Sequence, residues 1–316
     1  MGHGRKIEGR KMEIKNNIVE KNKFVDKLFQ YIFLASALFA SLSVLFILGF
    51  IFTKAVKPFL PDYEFGQQSI IKFIFGTAYR SDQQIYGIGF IIINTVIISL
   101  SALFVCFPIS IVTSLFCVKF APKKLKPLLK SSIELLASIP SVIYGVFGYG
   151  VITVFVDNLA KFFGYESIQG LSSLAAIIIL ALMIFPTMTL ISISSIERVS
   201  KSMEEASYAL GATKVQTNYK VVLRGAKNGI FSGMILGLGR AYGEATAVSM
   251  VIGNAMIGPT IMPFMPSRTL TSTILLGLKE TSGLDYDIRF SIAFVLLCVI
   301  ISSNLALNFV KKKVLR

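Results

Sequence analysis

Six long apolar stretches dominate the sequence, and each is long enough to cross a lipid bilayer as a helix. The hydrocarbon core of a bilayer takes about 20 consecutive apolar residues of helix. In lipid, every backbone N–H and C=O group must find a partner within the protein, which leaves helices and closed barrels as the spanning structures. The sequence therefore predicts an all-α integral membrane protein with six transmembrane helices, at Leu28–Phe52, Gly87–Cys117, Ser131–Phe155, Leu171–Ser194, Asn228–Gly253 and Ile288–Val310.

The charge content agrees with a lipid-embedded chain and argues against other classes. Only 16% of the residues are charged and 54% are hydrophobic, whereas a soluble domain has about a quarter of its residues charged. The net charge of +15 falls in short loops and forms no basic stripe with interleaved aromatics, so no nucleic-acid partner is expected. The single histidine, His3, lies in the polar N-terminal part, and the three cysteines lack paired spacing, so no metal site is expected.

The distribution of basic residues predicts that both termini are cytoplasmic. The two tails and the loops after the second and fourth spans hold 23 of the 32 lysines and arginines, an excess that is typical of cytoplasmic loops. The outer segment 254–287 has an apolar stretch of its own, which predicts a surface helix on the outer mouth. The predicted parts are a cytoplasmic basic tail, a first transmembrane helix, an extracytoplasmic segment, a five-helix domain with a cytoplasmic loop, and a cytoplasmic tail, at residues 1–27, 28–52, 53–86, 87–310 (loop 195–227) and 311–316.

A pair of charged residues lies inside the fifth predicted span. If that helix starts at Asn228, Arg240 lies about 18 Å into a core about 30 Å thick, with Glu244 one turn further on the same face. A charge at that depth costs at least about 2.5 kcal/mol, so it should face protein or water. The pair is either part of a substrate pathway or a structural ion pair, and the pathway is favoured. In a pathway, Arg240 would bind an anion, and Glu244 would hold Arg240 or accept a proton.

Small residues recur every four positions beside this pair. Helices in membranes approach each other closely where such residues form a ridge. We therefore expect a tight helix–helix seam, with Gly229, Gly233 and Gly237 as its main packing residues. The full ridge comprises Gly225, Gly229, Gly233, Gly237, Ala241 and Ala245.

Pro140 lies inside the third predicted span. A proline there frees the backbone carbonyl of Leu136 and favours a kink. One interpretation is a kink that serves helix packing, and the other is a broken helix whose Ser141 and Tyr144 line a polar pathway. The packing role is favoured, because prolines are common in membrane helices.

The cytoplasmic loop 197–227 predicts a docking element. Ser202–Leu210 can form a short helix that exposes Ala206, Ser207 and Ala209 on one side, and Gly211 ends it. A helix with a small-residue face suits a groove on a partner protein. An amphipathic connector that lies on the membrane surface is the alternative.

This loop resembles the EAA loop of ABC importer permeases. The matching residues are Glu205, Ala206, Ser207 and Gly211, followed by Val-x-Leu at 221–223. Ser207 stands where a second alanine is usual, and Arg224 stands where a proline is common. The stretches "ELLASIPSVIYGVFG" (134–148), "GRAYGEATAVSMVIGN" (239–254) and "SRTLTSTI" (267–274) are similar to those of the phosphate importer permeases, the PstC family.

The resemblance implies a type I ABC importer permease fold and a permease subunit of an ATP-driven phosphate importer in a bacterial or archaeal cytoplasmic membrane. It implies a second, PstA-like permease, PstB-like ATPase subunits and an extracytoplasmic PstS-like phosphate-binding protein as partners. Glu205, Ala206, Ser207 and Gly211 would then couple the chain to the ATPase. The chain has no Gly-rich loop followed by Lys-Ser/Thr, so we expect no bound cofactor, no enzymatic activity, and ATP handled by a partner.

Several alternatives remain open from the sequence. A PstA-like sibling has a similar Gly-Arg stretch, and a permease of the same superfamily could carry sulfate or another oxyanion. A secondary anion transporter often shows internal repeats, which spans 1–3 and 4–6 do not. A membrane-embedded enzyme would need a second intramembrane acid, a histidine cluster or a nucleophile–base pair.

Overall fold

In the computed structural model, the chain is mostly helical, as the sequence predicts. The structure describes residues 2–259 and 262–315, and the side chains of 26–259 and 262–313. The extreme ends of both predicted tails and residues 260–261 of the outer segment therefore lie outside the described residues. Its α-helices are Gly2–Val56 (α1), Ile70–Phe75 (α2), Gly89–Leu115 (α3), Leu125–Ser138 (α4), Ser141–Phe147 (α5), Thr153–Phe162 (α6), Ser173–Glu197 (α7), Lys201–Ala209 (α8), Lys214–Thr217 (α9), Leu223–Gly243 (α10), Thr246–Val251 (α11), Leu270–Leu275 (α12) and Gly283–Leu315 (α13).

Shorter elements join these helices. Two strands, Tyr79–Arg80 (β1) and Ile85–Tyr86 (β2), pair antiparallel in the outer segment, with Tyr79 opposite Tyr86. Wider π-type turns extend three of the helices, at Phe116–Phe120, Gly148–Ile152 and Asn218–Val222.

The chain divides into two compact units near the end of α1. The first unit ends at Thr53, and the second begins at Lys54. Within the first unit, the large apolar side chains between Leu28 and Phe52 are exposed, except for Ile51, which is half-buried. This is the exposure expected of a helix that is surrounded by lipid rather than by water.

Five helical segments of the described chain are long and apolar enough to cross a membrane. They correspond to the first, second, third, fourth and sixth predicted spans, and the third is displaced toward the C-terminus. The prediction of one continuous fifth helix was wrong, because α10 ends at Gly243 and α11 begins only at Thr246. The five segments are Asp26–Phe59, Gly89–Phe120, Ser141–Phe162, Ser173–Glu197 and Gly283–Lys313.

Helix α7 forms the centre of the second unit, and α3 and α10 pack against it. Its side chains Ile179, Ile184 and Met188 are at most 1% exposed. A polar contact ties the same helices together, because the Ser114 hydroxyl on α3 donates to the Thr189 carbonyl at 3.1 Å. The helix that carries Arg240 therefore packs against a helix with many buried side chains.

The predicted ridge of small residues forms the seam between α10 and α7. A Cβ placed on Gly233 would lie 3.2 Å from Ile191, and one on Gly237 would lie 2.7 Å from Met188. The two helix backbones can approach this closely only because these positions carry no side chain. The ridge ends at Ala241, since the helix is interrupted before Ala245.

We expect Gly229→Ala to destabilise the protein by about 1–3 kcal/mol, the usual cost of forcing extra atoms into a packed interface. A methyl group there would lie 2.6 Å from the Ser195 Cβ atom, which cannot move away without α7. The thermal midpoint of the detergent-purified protein measures the effect. Gly239→Ala is the matched control, because nothing lies within 4 Å of a Cβ there; equal midpoints for the two variants would contradict the seam.

The two outer segments pack against each other. The Tyr79 amide donates to the Met256 carbonyl at 2.8 Å, and the Gly258 amide donates to the Thr77 carbonyl at 3.1 Å. The helix predicted in the outer segment is present as α12, but it is largely buried rather than lying on the surface. Leu270 is fully buried, and its amide donates to the Thr95 hydroxyl of α3 at 3.0 Å.

Arg289 of α13 holds the C-terminal end of α12. Its Nη1 atom donates to the carbonyls of Thr273 at 2.7 Å, Ile274 at 3.1 Å and Leu276 at 2.5 Å. A cationic side chain satisfies carbonyls at a helix end that otherwise lack partners. The outer segment is thus anchored to the last membrane helix.

Candidate functional site

The helix break after Gly243 positions the first candidate residue, Glu244. Glu244 has extended backbone angles, with φ −77° and ψ 117°. Its carboxylate accepts the Ala247 amide at 3.1 Å, within the first turn of α11. An acidic side chain stabilises the exposed amides at the start of a helix. The sequence predicted that Glu244 would lie one helical turn beyond Arg240 on the same helix face. This was wrong, because the helix ends at Gly243.

Arg240 bonds to α7 rather than to Glu244. Its Nη1 atom donates to the Thr187 hydroxyl at 2.7 Å. Among the described side chains, no carboxylate lies within ion-pairing distance of Arg240. The arginine is half-buried, and a guanidinium has five N–H donors. Donors thus remain for an anion, while the interpretation as a structural ion pair with Glu244 was wrong.

A second helix break lies at Pro140. Ile139 is extended, with ψ 125°, because a residue that precedes a proline is biased away from the helical region. The freed carbonyl of Leu136 accepts the Tyr144 hydroxyl at 3.0 Å. Pro140 thus separates α4 from α5 rather than kinking one span, which corrects the predicted packing kink. Ser141 begins α5 and is half-buried.

The two broken helices meet through α5 and α11. A Cβ on Gly145 would lie 3.1 Å from the Ala247 Cα atom, so the two short helices are in close contact. Tyr144 is also within electrostatic range of Arg240. The structure thus brings Tyr144, Arg240 and Glu244 to one region, where two interrupted helices expose polar groups. In a membrane, irregular backbone is tolerated where protein or a water-filled cavity surrounds it.

Two residues of this region were missed by the sequence reasoning. Thr187 accepts from Arg240, and Thr271 donates to the Glu244 carbonyl at 2.9 Å, which satisfies a group left free by the break. Thr187 follows Pro186 in an otherwise apolar helix, and a polar residue after an intramembrane proline is a weak signal. Thr271 lies in the quoted "SRTLTSTI" stretch, but no local pattern relates it to Glu244.

The short helix predicted within loop 197–227 is confirmed as α8, Lys201–Ala209, while its docking role stays a prediction. Gly211 follows it in the left-handed region at φ +81°, and its amide donates to the Tyr208 carbonyl at 2.9 Å. Glycine adopts this conformation without steric cost. The chain therefore reverses direction here and starts α9.

Side chains on one side of α8 fix it to the rest of the chain. Glu204 forms an ion pair with Lys119, and the Ser207 hydroxyl bonds to the Thr217 hydroxyl at 2.9 Å. Ser207 thus differs from the predicted exposed position, because it is half-buried against α9. The exposed residues of α8 and of the turn after it include Glu205 and Ala206, together with three apolar side chains, namely Met203, Tyr208 and Leu210. Exposed apolar residues in such a group are typical of a protein interface.

Comparison with known proteins gives a consistent family and fold. A model of the family described as binding-protein-dependent transport system inner membrane component matches residues 107–316. The phosphate transport system permease protein PstC of Pasteurella multocida is 31% identical over 313 residues, which cover 93% of this chain and 96% of that protein. The probable ABC transporter permease protein YqgH of Bacillus subtilis is 38% identical over 214 residues, 67% of each protein.

A solved structure shows the same fold. A chain of a bacterial alginate ABC transporter, in complex with an alginate pentasaccharide-bound periplasmic protein, aligns with a TM-score of 0.60 and 18% identity. The alignment covers 88% of this chain and 95% of that chain. The arrangement of helices around α7 is thus shared with a transporter subunit of very different sequence.

Proposed function

Since the chain belongs to the family of binding-protein-dependent transport system inner membrane components, we propose that it is the permease subunit of an ATP-driven importer of inorganic phosphate. It is a multi-pass membrane protein and a transport subunit rather than an enzyme. The relative named as a phosphate permease extends over 93% of the chain, so the whole chain, and not one segment of it, carries the similarity.

The observation that carries the proposal is the environment of the Arg240 side chain. This arginine is half-buried between α10 and α7, has a neutral hydroxyl as its partner, and lies beside the junction of two broken helices. A desolvated cation without an acidic partner favours an anionic ligand. The planar guanidinium matches two oxygens of a phosphate group at once. Arg240 would bind the passing anion, with Tyr144 and Ser141 along the same pathway and Glu244 holding the break open.

ATP would act through partner chains. We propose that the ATPase binds the exposed side of α8, with Glu205, Ala206 and the turn at Gly211 in the interface. Ser207 would hold α8 in position through its hydrogen bond to Thr217. The expected assembly contains a PstA-like permease, PstB-like ATPase subunits and a PstS-like phosphate-binding protein outside. In this assignment the present chain binds no cofactor, and both of its termini face the cytoplasm of a bacterial or archaeal cell.

Mechanical coupling has a continuous route in this chain. From Lys214 the helix runs through the π-type turn and α10 to Gly243 without interruption. The stretch from Lys214 to Arg240 spans roughly 40 Å at 1.5 Å per residue. Closure of the ATPase subunits would move α8, and the continuous helix from Lys214 to Gly243 would transmit the motion to the break at Glu244. Alternating opening to the two sides of the membrane then follows from movement of the break.

We expect vesicles that contain this chain and its co-purified partners to take up labelled phosphate only with ATP on the cytoplasmic side. Excess sulfate should not compete, because in this proposal Glu244 would accept the proton that phosphate carries and sulfate lacks at neutral pH. A non-hydrolysable ATP analogue and vesicles lacking this chain serve as controls. Uptake driven by an ion gradient without ATP would contradict the importer class, and ATP-dependent uptake that sulfate blocks would contradict the phosphate assignment.

A further inference from the structure

Arg268 is a buried cation that the pathway through Arg240 does not use. It lies in the outer segment, in the "SRTLTSTI" stretch, and is 6% exposed. Its guanidinium lies over the Tyr79 ring at 5.1 Å from the centroid. Within the described side chains it has no carboxylate partner, and its Nε atom has no hydrogen-bond acceptor. Burying a charge without a partner is costly, so this arrangement favours the binding of an anion.

A cavity adjoins this guanidinium. Its volume is about 350 Å³, and Arg268, Tyr79 and Arg80 are among its lining residues. This is roughly ten times the volume that one water molecule occupies in the liquid. The Tyr79 hydroxyl is buried without a partner, and so is the Nε atom of Arg80. Within the described residues, three of the residues that line this cavity thus each have a buried donor atom without an acceptor.

Among the described side chains, the acidic residues at the cavity form no ion pair with Arg80 or Arg268, although the Oδ1 atom of Asp285 is buried there without a hydrogen-bond donor. Asp285 bonds to Arg289 at 3.4 Å, and the same Arg289 is engaged by the carbonyls at the end of α12. Glu280 is exposed to solvent. Among the described side chains, Arg80 and Arg268 therefore bring two cations without ion pairs to the cavity, and Asp285 brings one carboxylate, which is paired with Arg289 through Oδ2.

The protonation states also suit an anion. Burial raises the pKa of the Tyr79 hydroxyl far above its ordinary value, and the charge of Asp285 raises it further. Tyr79 thus keeps its proton as a donor at neutral pH. Burial lowers the pKa of Arg268, and Arg289 adds to this, but an arginine starts from a pKa above 12 and remains charged.

We propose that Arg268, Arg80 and Tyr79 form an extracytoplasmic binding site for a small oxyanion, where the anion is held before it reaches Arg240. The identity of the anion as phosphate rests on the function proposed above. Guanidinium groups bind such oxygens through paired, charge-assisted hydrogen bonds, and a tyrosine hydroxyl adds a third donor. The site is also linked to the pathway, because Thr271, three residues after Arg268, bonds to the Glu244 carbonyl.

Chemical protection of Arg268 tests the site in the wild-type complex. We would treat the transporter, purified in a phosphate-free maltoside detergent, with 2,3-butanedione and measure modification of each arginine by mass spectrometry. Inorganic phosphate is expected to slow modification of Arg268 about tenfold, the effect of a few charge-assisted hydrogen bonds, at constant ionic strength. Exposed Arg198 is the internal control and should react equally with and without phosphate.

Each other outcome has a defined meaning. Protection by sulfate instead of phosphate would support the oxyanion site and remove phosphate as its ligand. Protection by added phospholipid alone would assign Arg268 to a lipid headgroup, and protection by the binding protein without phosphate would assign it to a protein interface. The phospholipid result and the binding-protein result would each overturn the proposal. It is also overturned if phosphate does not slow the modification of Arg268, or if Arg268 never reacts.

Uptake by a matched pair of variants provides the second test. Arg268→Gln should lower ATP-driven phosphate uptake about tenfold, since one bidentate contact is lost. Lys279→Gln removes a charge from an exposed position of the same outer segment and should leave uptake within about twofold, as a solvated charge contributes little. If both variants equal wild type while wild type imports phosphate, the site is overturned and the proposed function is not. If wild type imports no phosphate, the proposed function fails, and the protection experiment still reports on the site.

Discussion

Replacing Arg240 with alanine is expected to abolish ATP-driven uptake while leaving the chain folded and assembled with its partners. Truncating one member of a buried charge contact costs about 2–5 kcal/mol, which corresponds to a loss of at least about thirtyfold. Folding should survive, because within the described residues the arginine side chain bonds only to the Thr187 hydroxyl. Labelled-phosphate uptake in vesicles measures the effect, and co-purification of the ATPase measures assembly.

Two further variants define what is lost. Arg240→Lys keeps the charge but not the planar fork of donors, so it should recover only part of the uptake. Lys123→Ala removes an exposed cation between α3 and α4 and should leave uptake unchanged. Normal transport by Arg240→Ala would show that the pathway runs elsewhere.

Replacing Gly211 with proline is expected to disconnect ATP hydrolysis from transport. The native φ of +81° is closed to proline, whose ring fixes φ near −65°. The substitution also removes the amide that bonds to the Tyr208 carbonyl. Forcing such a change costs about 1–3 kcal/mol or displaces the end of α8. We expect uptake to be lost, and the loaded binding protein no longer to stimulate ATP hydrolysis in the reconstituted complex.

The matched control is Gly164→Pro, at the other end of the membrane domain. Gly164 follows α6 with φ +75°, and its amide bonds to the Lys161 carbonyl at 3.0 Å. The backbone strain introduced is therefore nearly the same, but the position is remote from the docking loop. If both variants lose the same fraction of coupled transport, the effect is general destabilisation and the coupling role of the Gly211 turn is wrong.

Local and periodic features were predictable from the sequence. The spacing of Gly229, Gly233 and Gly237 identified the seam, because a repeat of four residues places them on one helical face. Gly211 was recognisable as a turn, since a glycine after a short helix is a common C-terminal signal. In each case one element of the chain holds all the information.

The features that the sequence did not predict depend on distant segments. Nothing near Glu244 forbids a continuous helix, and the break there is completed by the Thr271 hydroxyl, 27 residues away. Thr187, the partner of Arg240, lies 53 residues earlier in the chain. Pro140 did carry a local signal, but whether a proline bends a helix or ends it depends on whether another group can satisfy the freed carbonyl, here the Tyr144 hydroxyl.

The hydrogen bond from Thr271 to the Glu244 carbonyl has a thermodynamic consequence. It joins the outer segment, where a binding protein would dock, to the backbone of the broken helix. Any docking event that shifts α12 changes the free energy of the break, and linkage requires the reverse effect to be equal in size. The affinity of the outer face for its partner must then differ between the two states of the break by the same factor by which docking biases those states. The state of the break that docking favours would thus bind the partner more tightly, and release of the empty binding protein would be favoured when the break returns to its other state.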